Sequence, residues 1–172
     1  MRWFTSDLHF GHKNVIEYCS RPFTDVDDMA RGLIANYNQL VAPTDIVYFL
    51  GDITFANATN SRKYISQLNG YKILVKGNHD HKSSKMCRYG FDLVTYGATI
   101  LIGDEIYKLS HYPYGDARFP TRSPVDQGGW ILHGHTHSKE KFRDRQIHVG
   151  VDAWNYWPVS EVDIITLRRN HG

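Results

Sequence analysis

Side chains that bind metals recur in this sequence where short apolar runs end. Five such places are Ser6-Asp7-Leu8-His9, Gly51-Asp52, Gly77-Asn78-His79-Asp80, His111 and Gly134-His135-Thr136-His137. Asp7 and His9 are two positions apart, as are His135 and His137, and an extended segment places residues at this spacing on one side of the chain. Each pair alone indicates little, because aspartate and histidine also occur in ordinary turns. All of them together, each after an apolar run, indicate a metal site.

The candidate ligands comprise two carboxylates, four imidazoles and one amide oxygen, and they belong to Asp7, Asp52, His9, His111, His135, His137 and Asn78. This set is too large for one four-coordinate ion, but it suffices for two ions that share a carboxylate. Mixed nitrogen and oxygen ligands without thiolate suit manganese, iron, zinc, nickel or cobalt better than magnesium or calcium. We therefore expect two divalent metal ions, with manganese favoured.

The apolar pattern predicts the elements that position these loops. Runs of strand length occupy residues 2–5, 46–50, 71–75, 99–102, 106–109, 130–132, 147–149 and 162–167. Helices are predicted after a cap at Thr24, from about Asn60 to Asn69, and from Lys13 to Cys19. The early alternation of strands and helices gives way to consecutive strands, which predicts an α/β sandwich of mixed sheets flanked by helices. Ligands bind outside the carboxyl ends of parallel strands, so the loops can converge.

The composition is that of a single domain spanning residues 1–172. Hydrophobic residues make up 41% of the chain and charged residues 22%, which excludes disordered, collagen-like and coiled-coil classes. The formal net charge of +2 is too small to indicate a general nucleic-acid-binding surface. No apolar run suits a membrane span or a signal peptide, and the two cysteines do not have the pattern of a disulfide scaffold. We expect a cytoplasmic protein with reduced thiols and no membrane partner.

The chain resembles the calcineurin-like metallophosphoesterases, in particular the small single-domain kind found in bacteria and phages. The resemblance rests on the motifs above, in their order, and on the tail His148-Val-Gly-Val-Asp-Ala-Trp-Asn-Tyr156, which is similar to the closing segment of these small members. It implies a four-layered α/β sandwich of two mixed β-sheets flanked by helices. It also implies a dinuclear metal centre at the ends of the strands.

The resemblance implies a role for each candidate residue. Asp7, His9 and His137 would hold the first metal, Asn78, His111 and His135 the second, and Asp52 would bridge them. His79 would stay off the metals, beside the substrate, as an acid or charge stabiliser. Asp80 would orient the His79 ring.

Such a centre suits the hydrolysis of phosphate esters. Two divalent cations, less the charges of Asp7, Asp52 and a bridging hydroxide, leave about +1, which complements a phosphodiester anion. The hydroxide would attack phosphorus in line, while His79 stabilises the developing charge or protonates the leaving oxygen. We therefore expect a metal-dependent phosphodiesterase that acts on a nucleotide or another small phosphodiester.

Two departures from the family pattern bear on the substrate. Members often continue Gly-Asp-x-x-Asp, and the serine/threonine phosphatase branch adds Arg-Gly and shows Gly-Asn-His-Glu. Here the segments are Gly51-Asp-Ile-Thr-Phe55 and Gly77-Asn-His-Asp80. These differences argue against a phosphoprotein substrate. The alternatives are a phosphomonoesterase or protein phosphatase on the same site, and a non-catalytic binding module, which the complete ligand set disfavours.

Residues near the ligand loops are candidates for substrate contact. His12 could reach the rim of the cleft. The stretch from Tyr112 to Arg122 could form one wall, with a tyrosine stacking on a base and Arg118 or Arg122 meeting a phosphate. The alternative is a solvated loop whose aromatic side chains pack on the core. The sequence leaves both a monomer and a homodimer open.

Overall fold

Two five-stranded mixed β-sheets form the centre of the protein, and the computed structural model describes residues 1–171. The strands are β1 (Arg2–Thr5), β2 (Ile46–Phe49), β3 (Tyr71–Val75), β4 (Leu93–Thr95), β5 (Ala98–Ile102), β6 (Glu105–Leu109), β7 (Trp130–His133), β8 (Phe142–Arg143), β9 (Gln146–His148) and β10 (Val159–Ser160). The helices are α1 (Lys13–Tyr18), α2 (Val26–Leu40), α3 (Ala58–Ile65), α4 (Ser83–Tyr89) and α5 (Glu161–His171). Within residues 1–171, no helix is long and apolar enough to cross a membrane.

Parallel strands form the middle of each sheet. The first sheet has the order β10-β1-β2-β3-β4, in which β1 to β4 are parallel and β10 pairs with β1 antiparallel. The second has the order β5-β6-β7-β9-β8, in which β6, β7 and β9 are parallel and the outer strands are antiparallel. The predicted architecture of two mixed sheets flanked by helices is confirmed. The parallel strands carry the ligand loops at their carboxyl ends, as expected.

Two hydrophobic cores hold the layers together. One lies between the helices and the first sheet, and it includes Met29, Leu33 and Tyr37 of α2 with Val47 and Phe49 of β2. The other lies between the sheets and includes Phe4, Leu50, Val75, Tyr107, Leu132, Ile147 and, from α5, Ile164. Continuous apolar runs such as Ile46–Phe49 contribute side chains to both cores, because successive residues of a strand point to opposite faces.

The prediction of a strand over residues 162–167 is wrong, because this segment lies within α5. Ser160 and Asp163 explain the helix. The Asp163 N–H donates to Ser160 Oγ at 3.1 Å, and the Ser160 N–H donates to Asp163 Oδ2 at 2.9 Å. This reciprocal capping box starts a helix despite the β-branched residues that follow. Thr24 is likewise not the cap of α2: the Asp25 side chain accepts from the Asp27 and Asp28 N–H groups.

Candidate metal centre

The loops that follow β1, β2 and β7 are joined directly to one another. The Asp7 N–H donates to the Gly51 carbonyl at 3.0 Å, and the His9 N–H donates to the Asp52 carbonyl at 3.1 Å. The His135 N–H donates to both carboxylate oxygens of Asp7, at 3.1 and 3.0 Å. Residues separated by nearly the whole chain therefore meet at one edge of the two sheets.

A first cluster contains Asp7, His9 and His137. One potential ligand atom from each residue lies within 4.8 Å of the other two. His9 Nε2 and His137 Nε2 are each 4.0 Å from Asp7 Oδ1. Asp7 and His9 are almost fully buried, whereas His137 is partly exposed. These are the residues that the resemblance implies for the first metal.

A second cluster contains Asp52, His111 and His135, again with ligand atoms within 4.8 Å of one another. His111 Nε2 is 3.0 Å from His135 Nδ1 and 3.1 Å from Asn78 Oδ1. The other ring nitrogen of His111 is 2.7 Å from the Leu50 carbonyl, which fixes the orientation of the ring. The structure thus brings together the residues implied for the second metal.

Asp52 lies between the two clusters. Its Oδ2 is 3.4 Å from His111 Nε2 in the second cluster and 3.8 Å from His9 Nε2 in the first. Its Oδ1 accepts the His79 N–H at 3.0 Å, which ties the loop after β3 to the same carboxylate.

Five of the candidate ligands have left-handed backbone conformations. The φ angles of Asp7, His9, Asp52, His135 and His137 lie between 52° and 71°. Non-glycine residues seldom adopt this region, and each instance costs of order 1–3 kcal/mol. Such strained residues cluster at functional sites, where the surrounding structure holds them. Here the sheets and the hydrogen bonds between loops impose the conformation.

Two glycines of the motifs are required by close packing. A Cβ at Gly77 would collide with the Asp52 carboxylate, and a Cβ at Gly134 would collide with the side chains of Ser6 and Asp7. The glycines of Gly-Asn-His-Asp and Gly-His-Thr-His therefore allow these loops to approach the two carboxylates.

The buried polar atoms of the centre fit a divalent cation. Both ring nitrogens of His9 are buried without a hydrogen-bond partner. Buried polar groups are normally paired, so unpaired ones facing a carboxylate indicate a missing partner. Imidazole nitrogens and carboxylate oxygens are the ligands that first-row divalent metals prefer. The donor set therefore suits the metals that the sequence predicted.

Burial and neighbouring charges shift the pKa values of the centre. Burial raises the pKa of Asp7. Asp52 is also buried, but His111 and His9 hold its pKa well below the usual range. Burial opposes a charge on His111, yet Asp52 and Asp7 raise the pKa of this ring to about 9. Burial lowers the pKa of His135 to about 4.

A buried network behind the first cluster was not foreseen from the sequence. His137 Nδ1 is 2.8 Å from Asp152 Oδ2, and Arg21 donates to both oxygens of Asp152 at 2.9 and 2.8 Å. The Arg21 and Asp152 side chains are fully buried, and Arg21 also donates to the Asp7 and Leu8 carbonyls. Although burial favours the neutral ring, Asp152 raises the pKa of His137 to about 10. The network leaves Nε2 of His137 facing Asp7.

A sequence signal for Asp152 does exist. Asp152 lies in the tail that carries the family resemblance. It follows Val149-Gly150-Val151, which comes directly after β9. Arg21 carries no comparable signal, because nothing in its neighbours distinguishes it from a surface arginine.

His79 stands over the centre, at its open side. Its side chain is 46% exposed, and Nε2 is 3.9 Å from Asp52 Oδ2. The ring of Phe55, itself 41% exposed, lies 4.7 Å from His79 and 4.2 Å from His12 between ring centroids. His12 therefore lies in one aromatic group with His79 and Phe55, and Phe55 is a residue that the sequence indicated only as a departure from the family pattern.

The prediction that Asp80 orients the His79 ring is wrong. The Asp80 carboxylate accepts from the backbone N–H groups of Asp52, Ile53 and Gly77, at 2.9, 3.0 and 2.8 Å. These hydrogen bonds of the Asp80 carboxylate join the loops after β2 and β3. Asp80 positions Asp52, which it contacts directly, and not His79.

The stretch from Tyr112 to Arg122 lies beside the second cluster, and the ring of Tyr112 is not exposed for stacking. Its ring is buried, with centroids 5.0 Å from His135 and 5.2 Å from Phe119, and its hydroxyl accepts from Arg122. The Tyr112 ring is therefore packed between its neighbours and is not available to stack on a base.

Arg118 is held by an acidic residue within the same stretch. It pairs with Asp116 through two contacts of 3.0 Å, and Asp116 Oδ2 is 3.2 Å from His135 Nε2 without the alignment of a hydrogen bond. Arg122 is exposed at the end of this stretch, beside Asn78 and His111.

Comparisons with known proteins agree with this geometry. The model of the calcineurin-like phosphoesterase family matches residues 2–167. An uncharacterized protein of Methanocaldococcus jannaschii is 36% identical, with 95% of this chain and 88% of that protein covered. The gene 66 protein of Mycobacterium phage L5 is 34% identical, with 88% and 86% covered. The crystal structure of a protein of unknown function from Aquifex aeolicus has a TM-score of 0.79 at 30% identity, with 97% and 98% covered.

The family match spans almost the entire chain and includes every loop of the centre. Divalent metals and phosphate-ester hydrolysis are properties of the family, and both clusters described above could hold such metals. The chain belongs to the calcineurin-like phosphoesterase family.

Proposed function

We propose that the protein is a phosphodiesterase that uses two divalent metal ions, with manganese favoured, to hydrolyse a nucleotide or another small phosphodiester. The observation that carries this proposal is the position of Asp52. Its Oδ2 lies within 4 Å of a ring nitrogen in each cluster, at 3.4 Å from His111 and 3.8 Å from His9. Two ions that share one carboxylate need a ligand in this position.

The proposed ligands divide between the clusters as the resemblance implied. Asp7, His9 and His137 would hold the first ion, Asn78, His111 and His135 would hold the second, and Asp52 would serve both. When bound, the ions polarise the phosphoryl oxygens and lower the pKa of a coordinated water. Asp7 and Asp52 cancel only part of the charge of two divalent cations, so the site retains positive charge for a phosphoryl anion.

His79 is proposed to act on the leaving group. Its ring is half-exposed at the open side of the centre, where a substrate can reach it. Its backbone N–H is fixed by Asp52, so the ring stays above the clusters although its side chain does not belong to either. A protonated His79 can give its proton to the leaving oxygen as the bond to phosphorus breaks, which yields a neutral alcohol.

The space around the centre favours a diester. A cavity of about 300 Å³ lies on one side, lined in part by Asp116, Arg118 and Thr136. Another of about 460 Å³ lies on the other side, lined in part by His111 and Arg122. A phosphodiester carries an ester group on each side of phosphorus, whereas a monoester needs room on one side only.

Metal-stripped protein refilled with manganese, nickel, zinc or magnesium tests the proposal. We expect manganese to restore cleavage of bis(p-nitrophenyl) phosphate and of a cyclic nucleotide. Asp52→Asn should lose both metal and activity, whereas Asp104→Asn, a change at an exposed carboxylate in the β5–β6 turn, should keep both. Faster cleavage of p-nitrophenyl phosphate or phosphoserine peptides than of any diester would contradict the diester assignment.

We also propose a cytoplasmic location. Cys19 and Cys87 are both free thiols. Such thiols fit a reducing compartment.

A further inference from the structure

A groove leads away from the second cluster along the side opposite Arg118. It consists of two adjoining cavities of about 460 and 360 Å³, which share Tyr96, Ser110 and Arg122 in their walls. The first cavity begins at His111, and the second extends to Lys108. Ligand pockets have volumes of roughly 300–1,000 Å³, so each cavity can take a group of nucleotide size. We call the two cavities together the basic groove.

The basic groove carries uncompensated positive charge. Lys76, Lys108 and Arg122 line it, and none of the three forms an ion pair with a carboxylate among residues 1–171. Asp80 is the acidic residue of the described lining, but its carboxylate is taken up by three backbone N–H groups. An anion that leaves the metal centre on this side therefore meets three cations and one carboxylate that backbone donors already satisfy.

An exposed aromatic ring lies where the two cavities meet. The Tyr96 side chain is 79% exposed, and Lys76 Nζ lies 5.1 Å from the centroid of its ring. A tyrosine this exposed contributes little to the core, so its ring face is available to a ligand. Proteins that bind single-stranded nucleic acid combine such rings, on which bases stack, with cations that follow the backbone.

We propose that the basic groove binds a single-stranded nucleic acid segment that continues beyond the scissile phosphate. This inference rests on the proposed function for the position of that phosphate. The next phosphate lies between Lys76 and Arg122, and the adjoining base stacks on Tyr96. A cyclic mononucleotide would leave most of the groove empty, so an oligonucleotide is the better substrate. A short groove is compatible with the small net charge of +2, because the cations are concentrated locally.

Binding of a fluorescein-labelled thymidine pentanucleotide, measured by anisotropy in the presence of a chelator to prevent cleavage, tests the groove. We expect Lys76→Gln and Arg122→Gln each to reduce the steepness of log Kd against log salt by about 0.7, as for one phosphate contact on a single strand. Tyr96→Leu should weaken binding about tenfold with an unchanged salt slope, and Tyr96→Phe should bind like the wild type. Lys63→Gln on α3, a residue that lines neither cavity of the groove, is the matched control.

Cleavage supplies a second readout. For Lys76→Gln and Tyr96→Leu, kcat/KM for the pentanucleotide should fall about tenfold more than kcat/KM for bis(p-nitrophenyl) phosphate, which carries no second phosphate and no nucleobase. Unchanged affinity, salt slope and substrate ratio in these variants would overturn the groove. So would wild-type binding of the pentanucleotide no tighter than that of a cyclic mononucleotide. If the wild type cleaves no diester with any metal, the proposed function fails, while the binding measurements still decide the groove separately.

Discussion

Asp152→Asn should weaken the fold and the first metal site together, because one buried carboxylate serves both. Asp152 accepts from Arg21 at 2.9 and 2.8 Å and contacts His137 Nδ1 at 2.8 Å. Asparagine has nearly the same shape but presents one oxygen and an NH₂ group. One of the donors facing it is therefore left without an acceptor, and the Arg21 guanidinium is left without its counter-ion.

The size of each effect follows from burial. Both side chains of the Arg21–Asp152 pair are 0% exposed. Removing one partner of a buried pair costs about 3–5 kcal/mol, because the other charge stays buried and unpaired. Loss of a carboxylate that orients a ligand histidine costs about 10- to 100-fold in metal affinity. We expect both losses, the second confined to the ion held by His137.

Two measurements separate the effects. Denaturant unfolding of chelator-treated protein gives the free energy of unfolding without metal, and competitive titration with a metal indicator gives the two metal affinities. Asp116→Asn is the matched control, since Asp116 lies 3.2 Å from His135 Nε2 but pairs with Arg118, which is 64% exposed. The Asp116 side chain is only 6% exposed, but Arg118 stays in solvent when its partner is lost, so this control should lose far less stability than Asp152→Asn.

Equal decreases in the free energy of unfolding for Asp152→Asn and Asp116→Asn would refute the argument from burial. Wild-type affinity at both metal sites in Asp152→Asn would refute the orienting role. The double change Arg21→Met with Asp152→Leu removes both buried charges, so it should recover much of the stability without recovering the metal affinity. Recovery of both properties would show that the network acts only through stability.

Three further outcomes are expected. His79→Asn should keep its metal while kcat falls about 10²- to 10⁴-fold. The loss should be smaller for nitrophenyl esters, because nitrophenolate needs little protonation to leave. Loss of metal in this variant would contradict the position of His79 outside the clusters. Gly77→Ala should lower metal content, because its Cβ meets the Asp52 carboxylate, whereas Gly129→Ala, with open space around it, should not. Burial lowers the pKa of His148 to about 3, so the unfolded chain takes up a proton there below pH 6.5 and the folded chain does not. The free energy of unfolding should therefore fall as the pH drops. Between pH 6.5 and 5, metal-free His148→Leu should lose about 2 kcal/mol less of it than metal-free wild type. An equal loss in both proteins over this range would contradict the assignment.

Motif spacing predicted that these loops converge, because the side chains occupy strand ends and the carboxyl ends of parallel strands meet at one edge, whereas the division of the ligands between two metals came from the family resemblance. The pattern could not identify Arg21, whose function depends on burial against Asp152, a residue 131 positions later. The pattern also misassigned Asp80. This carboxylate follows His79 in sequence, but it accepts hydrogen bonds from three backbone N–H groups and not from the His79 ring.

Secondary structure and burial were likewise predicted correctly for some segments and incorrectly for others. The strand Tyr71–Val75 was predicted with its observed bounds, because its apolar residues lie between Gly70 and Gly77. The segment after Ser160 was predicted as a strand from its β-branched residues, although a local capping box starts a helix there. For Tyr112 the sequence left two alternatives, a ring that stacks on a base and a ring that packs inward, and tertiary packing against His135 buries it.

The order of the ligands along the chain affects when metal can be acquired. Each cluster joins a residue from the first third of the chain to a histidine after position 130, Asp7 with His137 and Asp52 with His135. During translation, neither cluster is complete until the segment beyond β7 has left the ribosome and folded. Metal binding therefore follows folding of nearly the whole chain, because the ligands must converge before they can chelate. Ions that a nascent chain meets before the segment beyond β7 emerges therefore find only part of either ligand set.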